Sequence, residues 1–339
     1  MKIILDAMGG DNAPLEIIKG AVKAKKELKQ DIVLVGDENI IKKTAEEHKL
    51  NVADFEIVHT EDVISMDDDP SSLITGEHKE CSMAKGLKML ANDEGDAFIS
   101  AGSTGALMVG GRFIVKNIKG IRRGALAPVL PSVTGNYMLI DSGANVECRA
   151  DFLVKFAFMG SAYMSGIMGI KNPRVGLLNN GTEETKGTDL QKEAFELLKN
   201  APINFVGNIE AREPWLGGCD VLVTDGFTGN IYLKPAEGMG KMVSAGLKKQ
   251  LFKNPWRALG SVLLSGGLKA FKNSVDYKNY GGAPIMGLNK PVIKAHGSSD
   301  AKAIFSTIRQ AVDYVNGDVT GKIKELIAQY KSDDGEENA

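Results

Sequence analysis

The chain has 339 residues, 41 basic against 43 acidic side chains for a formal charge of −2, and 43% hydrophobic residues, ample material for a sizeable core. No apolar run approaches the roughly 18 residues that a membrane span needs. The opening Met1-Lys2-Ile3-Ile4-Leu5-Asp6 lacks a signal-peptide cleavage pattern, so a cytoplasmic location is expected.

In chain order, Lys2-Ile3-Ile4-Leu5 reads as a buried strand that runs into Asp6-Ala7-Met8-Gly9-Gly10-Asp11. Pro14 then opens a helix at 14–29, where its missing N–H does no harm. Strands at 32–35 and 55–58 flank a helix at 38–48, Asp-Asp-Asp-Pro at 67–70 marks a loop, and a helix follows at 79–92. A strand at 96–100 leads into Ser100-Ala101-Gly102-Ser103-Thr104-Gly105 and a helix at 103–117. Strands at 125–129 and 136–141 follow, the second running into Asp141-Ser142-Gly143-Ala144-Asn145 ahead of a helix at 151–165.

The strand at 173–178 runs into Asn179-Asn180-Gly181-Thr182-Glu183, with Lys186 and Gly187 close behind and a helix at 187–199. After a strand at 203–206, the strand at 220–224 runs into Asp225-Gly226-Phe227-Thr228-Gly229-Asn230. Helices are predicted at 228–252 and 257–275, a strand at 291–294, and helices at 299–315 and 318–330. The polar tail 331–339 is expected to fray.

This alternation predicts a mainly parallel sheet covered by helices on both faces, a three-layer α/β/α sandwich, with residues 1–330 as one continuous unit. Five strand ends carry Gly, Asp, Asn, Ser or Thr. One such loop serves equally well as a helix cap. Five suggest a single shared cleft at the carboxyl edge, where helix N-termini and loop amides converge.

The net charge hides an uneven distribution. Phe98 to Ile140 contains Arg112, Lys116, Lys119, Arg122 and Arg123 without one acid, and Gly238 to Val275 contains seven cations without one acid. Such spans favour an anionic partner. They lack interleaved stacking aromatics and any nucleic-acid motif, so nucleic acid is not expected.

Cys81, Cys148 and Cys219 are widely spaced and form no C-x-x-C pair, which suggests neither a disulfide framework nor a zinc site. His48, His59 and His78 sit in polar, surface-like surroundings, whereas His296 follows the strand 291–294 and reads as either a site residue or a core imidazole. No G-x-G-x-x-G follows a strand, and G-x-x-x-x-G-K-[ST], H-E-x-x-H and G-x-S-x-G are all lacking. The remaining chemistry is a cleft of backbone amides, hydroxyls and side-chain amides, with Lys186 as its fixed cation.

The segments Asp6 to Asp11, Ser100 to Ala106, Gly143-Ala144-Asn145, Leu177 to Asn179 with Gly181-Thr182-Glu183 and Lys186-Gly187, Thr224 to Asn230, Tyr280 to Ala283, and Lys294-Ala295-His296-Gly297 together resemble the signature set of the bacterial acyl-ACP:phosphate acyltransferase (PlsX) family. The resemblance runs in order from Met1 to about Tyr330. It implies an α/β/α fold similar to the isocitrate dehydrogenase and phosphotransacetylase type, a homodimer, and conversion of acyl carrier protein thioester and inorganic phosphate into acyl phosphate for phospholipid synthesis. It requires no cofactor.

On this resemblance Lys186, Asp225, Asn230 and His296 are the expected catalytic residues. Asp6, Gly9, Gly10, Asp11, Ser103, Thr104, Gly105, Asn145, Asn179, Asn180, Gly181, Thr182 and Gly229 are the expected substrate contacts. Ser103 stands where the family carries Asn, and Ile74 to Met83 lacks the family's Arg and paired basic residues, leaving Lys79 for any anion contact there.

Elementary chemistry agrees with the assignment. Phosphate dianion is a competent nucleophile near neutrality and a thiolate with a pKa of about 8.5 leaves with little help. The protein must therefore hold an anion beside a thioester carbonyl and stabilise an oxyanion. A metal-dependent 2-hydroxyacid oxidoreductase with Asp6, Asp11, Asp141 and Asp225 as ligands, and a non-enzymatic adaptor for carrier protein, are the competing readings.

Two surfaces follow. The acidic carrier protein is expected to dock on Arg112, Lys116, Lys119, Arg122 and Arg123. A projecting helical hairpin at about 236–277 is expected to pair its apolar stripes across the dimer. Its tip, Trp256, Val262, Leu263 and Leu264, is expected to touch anionic bilayers beside a membrane glycerol-3-phosphate acyltransferase.

Overall fold

The computed structural model describes residues 1–254, 256–257, 260–261, 264–275 and 281–330. The expectations for Pro255, Val262, Leu263, Tyr280 and the tail 331–339 lie outside the described residues.

Among the described residues, twelve strands assemble into two sheets: β1 Lys2–Asp6, β2 Asp31–Gly36, β3 Glu56–His59, β4 Ala97–Ser100, β5 Ala125–Leu126, β6 Val129–Ser132, β7 Gly135–Ile140, β8 Arg174–Asn179, β9 Asn204–Glu210, β10 Val221–Val223, β11 Ala283–Met286 and β12 Val292–Lys294. The first sheet runs β3-β2-β1-β4-β12-β11-β5 and the second β6-β7-β10-β8-β9. Pairs involving β11 and the β6–β7 pair are antiparallel, and every other pair is parallel. The apolar runs of β1, β4, β10 and β12 are buried on both faces, as the near-continuous hydrophobicity of a covered parallel strand requires.

Strand order reverses at β1, which pairs with β2 on one side and β4 on the other. The loops leaving β1 and β4 meet at this switch point, at the carboxyl edge where open α/β sheets bind their ligands. Helices Leu15–Leu28 and Ala301–Asn316 cover one face of this sheet, and helix Ser82–Ala91 covers the other. Helix Ala150–Gly166 fills the main core of the second sheet. That core also takes in Ala125 of β5 and Met286 of β11, so the two sheets share apolar packing rather than merely abutting.

The structure refines the predicted elements at three places. The strand expected at 125–129 is two strands in different sheets, because Pro128 interrupts the run and the chain crosses between sheets there. β11 was not foreseen, since Gly281-Gly282-Ala283-Pro284 precedes its short apolar end. Of the helix expected at 257–275, the described residues are helical at 257, 260–261 and Ser265–Val275, with a turn at Leu264.

Helix Gly226–Leu251 starts with an Asp225 cap, whose carboxylate accepts from the Thr228 backbone N–H at 2.8 Å. From Gly238 to Gln250 every residue is exposed, including Met239, Met242, Val243 and Leu247. The chain thus leaves the body along this helix, and helix Ser265–Val275 brings it back to β6. Trp256 and Leu264 lie exposed in the outer stretch, at 82% and 62% of their surface.

One glycine fixes where the projecting helix begins. A methyl group at Gly229 would lie 1.8 Å from the Asp141 carbonyl oxygen, whereas one at Gly240 would meet nothing within 4 Å. Gly229→Ala is expected to cost at least about 2 kcal/mol in urea unfolding by overpacking. Gly240→Ala is expected to gain about 0.5–1 kcal/mol from helix propensity alone.

Candidate active site

The loops at the carboxyl ends of β1, β4 and β12 form one polar unit. Asp6 ends β1 with its carboxylate buried, and Ser100 at the end of β4 donates to it at 2.6 Å. The Ser100 hydroxyl oxygen in turn accepts from Gly102 N at 3.0 Å, and Met8 N donates to Asp6 at 3.1 Å. Burial pushes the Asp6 carboxyl above its usual range, against hydrogen bonds from Ser100, Ser82, Met8 and Gly9 that favour the carboxylate. The approach is tight enough that a methyl at Gly9 would meet Asp6 and Gly102 N.

Gly10, at φ +100°, lets the loop turn against Ala101 and Gly297. Asp11 N then donates to Gly297 O at 2.8 Å, tying this loop to the one after β12. Ser103 is buried and caps the helix Thr104–Gly110 by accepting from Ala106 N at 3.4 Å. Here its hydroxyl performs a capping task. Thr104 is half-buried and Gly105 exposed, so both remain at the crevice surface.

Lys294 ends β12 at the centre of this edge and is only 7% exposed. Its ammonium donates to Ala101 O at 3.1 Å and to Ala295 O, bridging the loops after β4 and β12. Desolvation lowers its pKa to about 8, and the charges of Asp11 and Asp6 partly oppose the drop. His296 is exposed beyond it, and its Nδ1 accepts from Ser298 N at 3.2 Å, which leaves the proton of the neutral ring on Nε2. Burial and the neighbouring Lys294 charge lower its pKa, while Glu237 opposes the shift.

The second sheet supplies a matching pair of loops after β7 and β10. Asp141 is buried and accepts from the backbone N–H groups of Leu126, Gly143, Ala144 and Asn145, and from the Asn145 side-chain amide at 2.9 Å. Burial pushes its carboxyl up while those bonds pull it down. Asn145 also donates to Gly124 O at 2.8 Å, and its own carbonyl accepts from Gly226 N at 2.7 Å. Asn230 is exposed and donates from Nδ2 to Ser142 O at 3.2 Å. Its remaining amide hydrogen has no partner among the described residues.

Helix Gly226–Leu251 joins the two halves, because Lys234 and Glu237, paired at 3.0 Å, lie close enough to His296 to act on its charge. Asp6, Gly9, Gly10, Asp11, Ser103, Thr104, Gly105 and His296 thus lie at the carboxyl edge of the first sheet, and Asn145, Asp225, Gly229 and Asn230 at that of the second.

The loop after β8 is placed differently. Asn179 donates to Lys186 O at 3.1 Å and accepts from Asn180 N, and Lys186 N donates to Glu183 O. Gly181 is buried, while Asn180, Thr182 and Lys186 are exposed. The loop bonds largely to itself and to Asn208, with no described contact to Ser103 or Thr104.

Sequence reasoning missed three participants. Lys294 was read as the polar end of a strand, although its place between Ile293 and Ala295 is the one signal that it is buried. Ser100 and Ser82 gave no signal apart from their loops. His78, expected at the surface, is instead half-buried between Asp62 at 2.8 Å and Asp68 at 3.4 Å, which raises its pKa. Asp6, Asp141 and Asp225, which the oxidoreductase reading needs as ligands, engage oxygens with their own loops.

Residues 1–322 match the model of the fatty acid synthesis protein family. The phosphate acyltransferase of Thermoanaerobacter pseudethanolicus is 46% identical over 328 residues, covering 96% of this chain and 97% of the relative. That of Oceanobacillus iheyensis is 47% identical over 324 residues, covering 95% and 96%. The chain belongs to this family, one of acyltransferases. Its fold is that of a phosphotransacetylase from Streptococcus pyogenes, with a TM-score of 0.63 at 17% identity and coverage of 95% and 94%.

Proposed function

We propose that the chain is a phosphate acyltransferase that moves the acyl group of an acyl carrier protein thioester onto inorganic phosphate, feeding phospholipid synthesis. The observation that carries this reading is a cluster of amides, hydroxyls and a buried cation at the carboxyl ends of the strands, on a chain 46% identical to phosphate acyltransferases. No cysteine is poised as a covalent nucleophile: burial pushes Cys81 to about 11 and Cys148 and Cys219 to about 12.

Direct attack needs none. A phosphate oxygen bonds to the thioester carbonyl carbon, the C–S bond breaks, and the proton of hydrogen phosphate ends on the leaving sulfur, giving acyl phosphate dianion and free thiol. Ser103, Thr104 and the neighbouring backbone amides hold the phosphate, with Gly181, Thr182 and Lys186 closing over it from the loop after β8. Asn230 donates its second amide hydrogen to the carbonyl as it becomes an oxyanion, and Asp225 fixes the helix start that presents it. The neutral His296 relays the proton.

Carrier protein docks on Arg112, Lys116, Lys119, Arg122 and Arg123, all exposed and without an ion pair among the described residues. Arg112 also lies over the exposed Phe113 ring at 5.4 Å, offering an apolar point within the basic patch. A homodimer covers Phe227, Ile231, Met239, Met242, Val243 and Leu247 on the projecting helix, which are exposed in the single chain. No helix among the described residues is long and apolar enough to cross a membrane. The membrane contact is therefore peripheral, through Trp256, Val262, Leu263 and Leu264, beside a membrane glycerol-3-phosphate acyltransferase.

Purified protein with acyl carrier thioester is expected to form acyl phosphate only when phosphate is present, and phosphate-independent thioester loss would overturn the reading. Lys186→Ala is expected to raise the phosphate KM by about tenfold or more, and Asn230→Ala to lower turnover by about 10²–10³ with little change in melting temperature. Charge reversal at Arg122 and Arg123 is expected to weaken carrier-thioester use, the more so at low salt, without changing the phosphate KM. Replacing Val262, Leu263 and Leu264 by Ser should abolish co-sedimentation with anionic vesicles while sparing turnover in solution; loss of the dimer would instead assign those residues to the subunit interface.

A further inference from the structure

Among the described residues, Lys294 stands apart from the other cations. Most lysines here are exposed, including Lys186, whereas Lys294 is buried at the carboxyl edge of the first sheet. Burying an ammonium costs free energy unless it is hydrogen-bonded and compensated by charge. The site provides both in part. Two carbonyl oxygens accept from it, Ala101 O on the loop that leads to Ser103 and Ala295 O on the loop that leads to His296. Asp6 on the loop after β1 and Asp11 further along it supply the opposing charge, neither within salt-bridge distance of Lys294.

An ammonium has three donors. Two are accounted for by these carbonyls, and the countercharge is held at a distance by hydrogen bonds of its own, Asp6 to Ser100 and Met8. The result is an incompletely neutralised cation behind the loop that carries Ser103 and Thr104.

We propose that Lys294 is a positioning residue for anion binding: it clamps the loops after β4 and β12 in register and supplies the buried positive charge that a phosphate entering beside Ser103 and Thr104 neutralises. The proposal rests on the functional reading above for the identity of the anion. It assigns Lys186 a different part, as the solvent-side cation that closes over a bound phosphate rather than the one that builds its seat.

The charged groups facing Lys294 are Asp6 and Asp11 from the loop after β1 and His296 from its own loop. His296 is held below its ordinary value and is already neutral above neutrality. Burial holds the Asp6 carboxyl above its ordinary range, and the Lys294→Met profile separates any titration of Asp6 from that of Lys294. Loss of the Lys294 proton near its lowered value of about 8 is the alkaline limb expected here.

Inorganic phosphate binding to the full chain, measured by calorimetry without any acyl donor, tests this independently of acyl transfer. After correction for the dianion fraction, wild-type affinity is expected to fall about tenfold between about pH 7 and about pH 9, the loss of charge on a group titrating near 8. Lys294→Met is expected to bind phosphate about tenfold or more weakly at neutral pH, with the alkaline limb gone. Lys186→Ala is expected to weaken binding but keep the limb. A Lys294→Met protein that binds like wild type with the same pH profile overturns the proposal. Should that variant fail to fold by circular dichroism, the wild-type and Lys186→Ala profiles decide, and a flat wild-type profile overturns it. A chain that binds phosphate with this limb yet makes no acyl phosphate would sink the functional reading while leaving Lys294 its role.

Discussion

Two buried carboxylates, one at the end of each sheet, set the geometry of the crevice. Asp6 and Asp141 are both almost wholly removed from water, where an ungratified carboxylate would cost several kcal/mol. Each is compensated by the chain around it. Asp6 draws in the Ser100 hydroxyl and Met8 N–H, and Asp141 gathers four backbone N–H groups and the Asn145 amide. Loops rich in glycine would otherwise be free to wander. Here each folds around a buried carboxyl group that its own hydrogen bonds hold in place.

The consequences run outward from these anchors. Ser100 passes the Asp6 anchor on to Gly102 N, and so to the loop of Ser103 and Thr104. Asn145 passes the Asp141 anchor on to Gly226 N, which seats the first turn of the projecting helix. Asn230, Lys234 and Glu237, spaced i, i+4 and i+7, share one face of that helix, from which Asn230 donates to Ser142 O and the charges of Lys234 and Glu237 act on His296. Its far half leaves the body, with an apolar stripe exposed. One element therefore couples the chemical site to the surface that the proposed dimer and membrane contacts use.

Much of this was legible in the sequence because parallel strands advertise themselves as short apolar runs followed by Gly, Asp, Asn and Ser. All five strand-end loops were found, and so were the long helices. What stayed hidden has a physical reason in each case. An alternating pattern of strands and helices cannot say that the ladder breaks between β5 and β6, because the break is made by Pro128 and a change of partner rather than by a linker. β11 pairs antiparallel and starts at glycine and proline, which carry no periodicity. Lys294 stands in a signature segment, yet its burial is hard to read because a lysine closing a strand normally snorkels to water; its apolar neighbours hint at it and its carbonyl partners reveal it. The joint placement of phosphate by the loops after β4 and β8 rests on two Gly-containing loops that each follow a strand and precede a helix, and those loops lie on different sheets.

The central claim is that phosphate occupies the crevice between the carboxyl edges of the two sheets, where Asn230 can reach a thioester beside it. A crystal structure of the protein soaked with phosphate and an unreactive acyl-thioester analogue tests this most directly. The account predicts phosphate against the loop of Ser103 and Thr104, on the side facing helix Gly226–Leu251, with the thioester carbonyl within hydrogen-bond distance of Asn230. Phosphate bound instead at the opposite edge of the first sheet, in the cavity lined by Lys2, Lys25, Asp31 and Glu56, with the crevice empty, would contradict it.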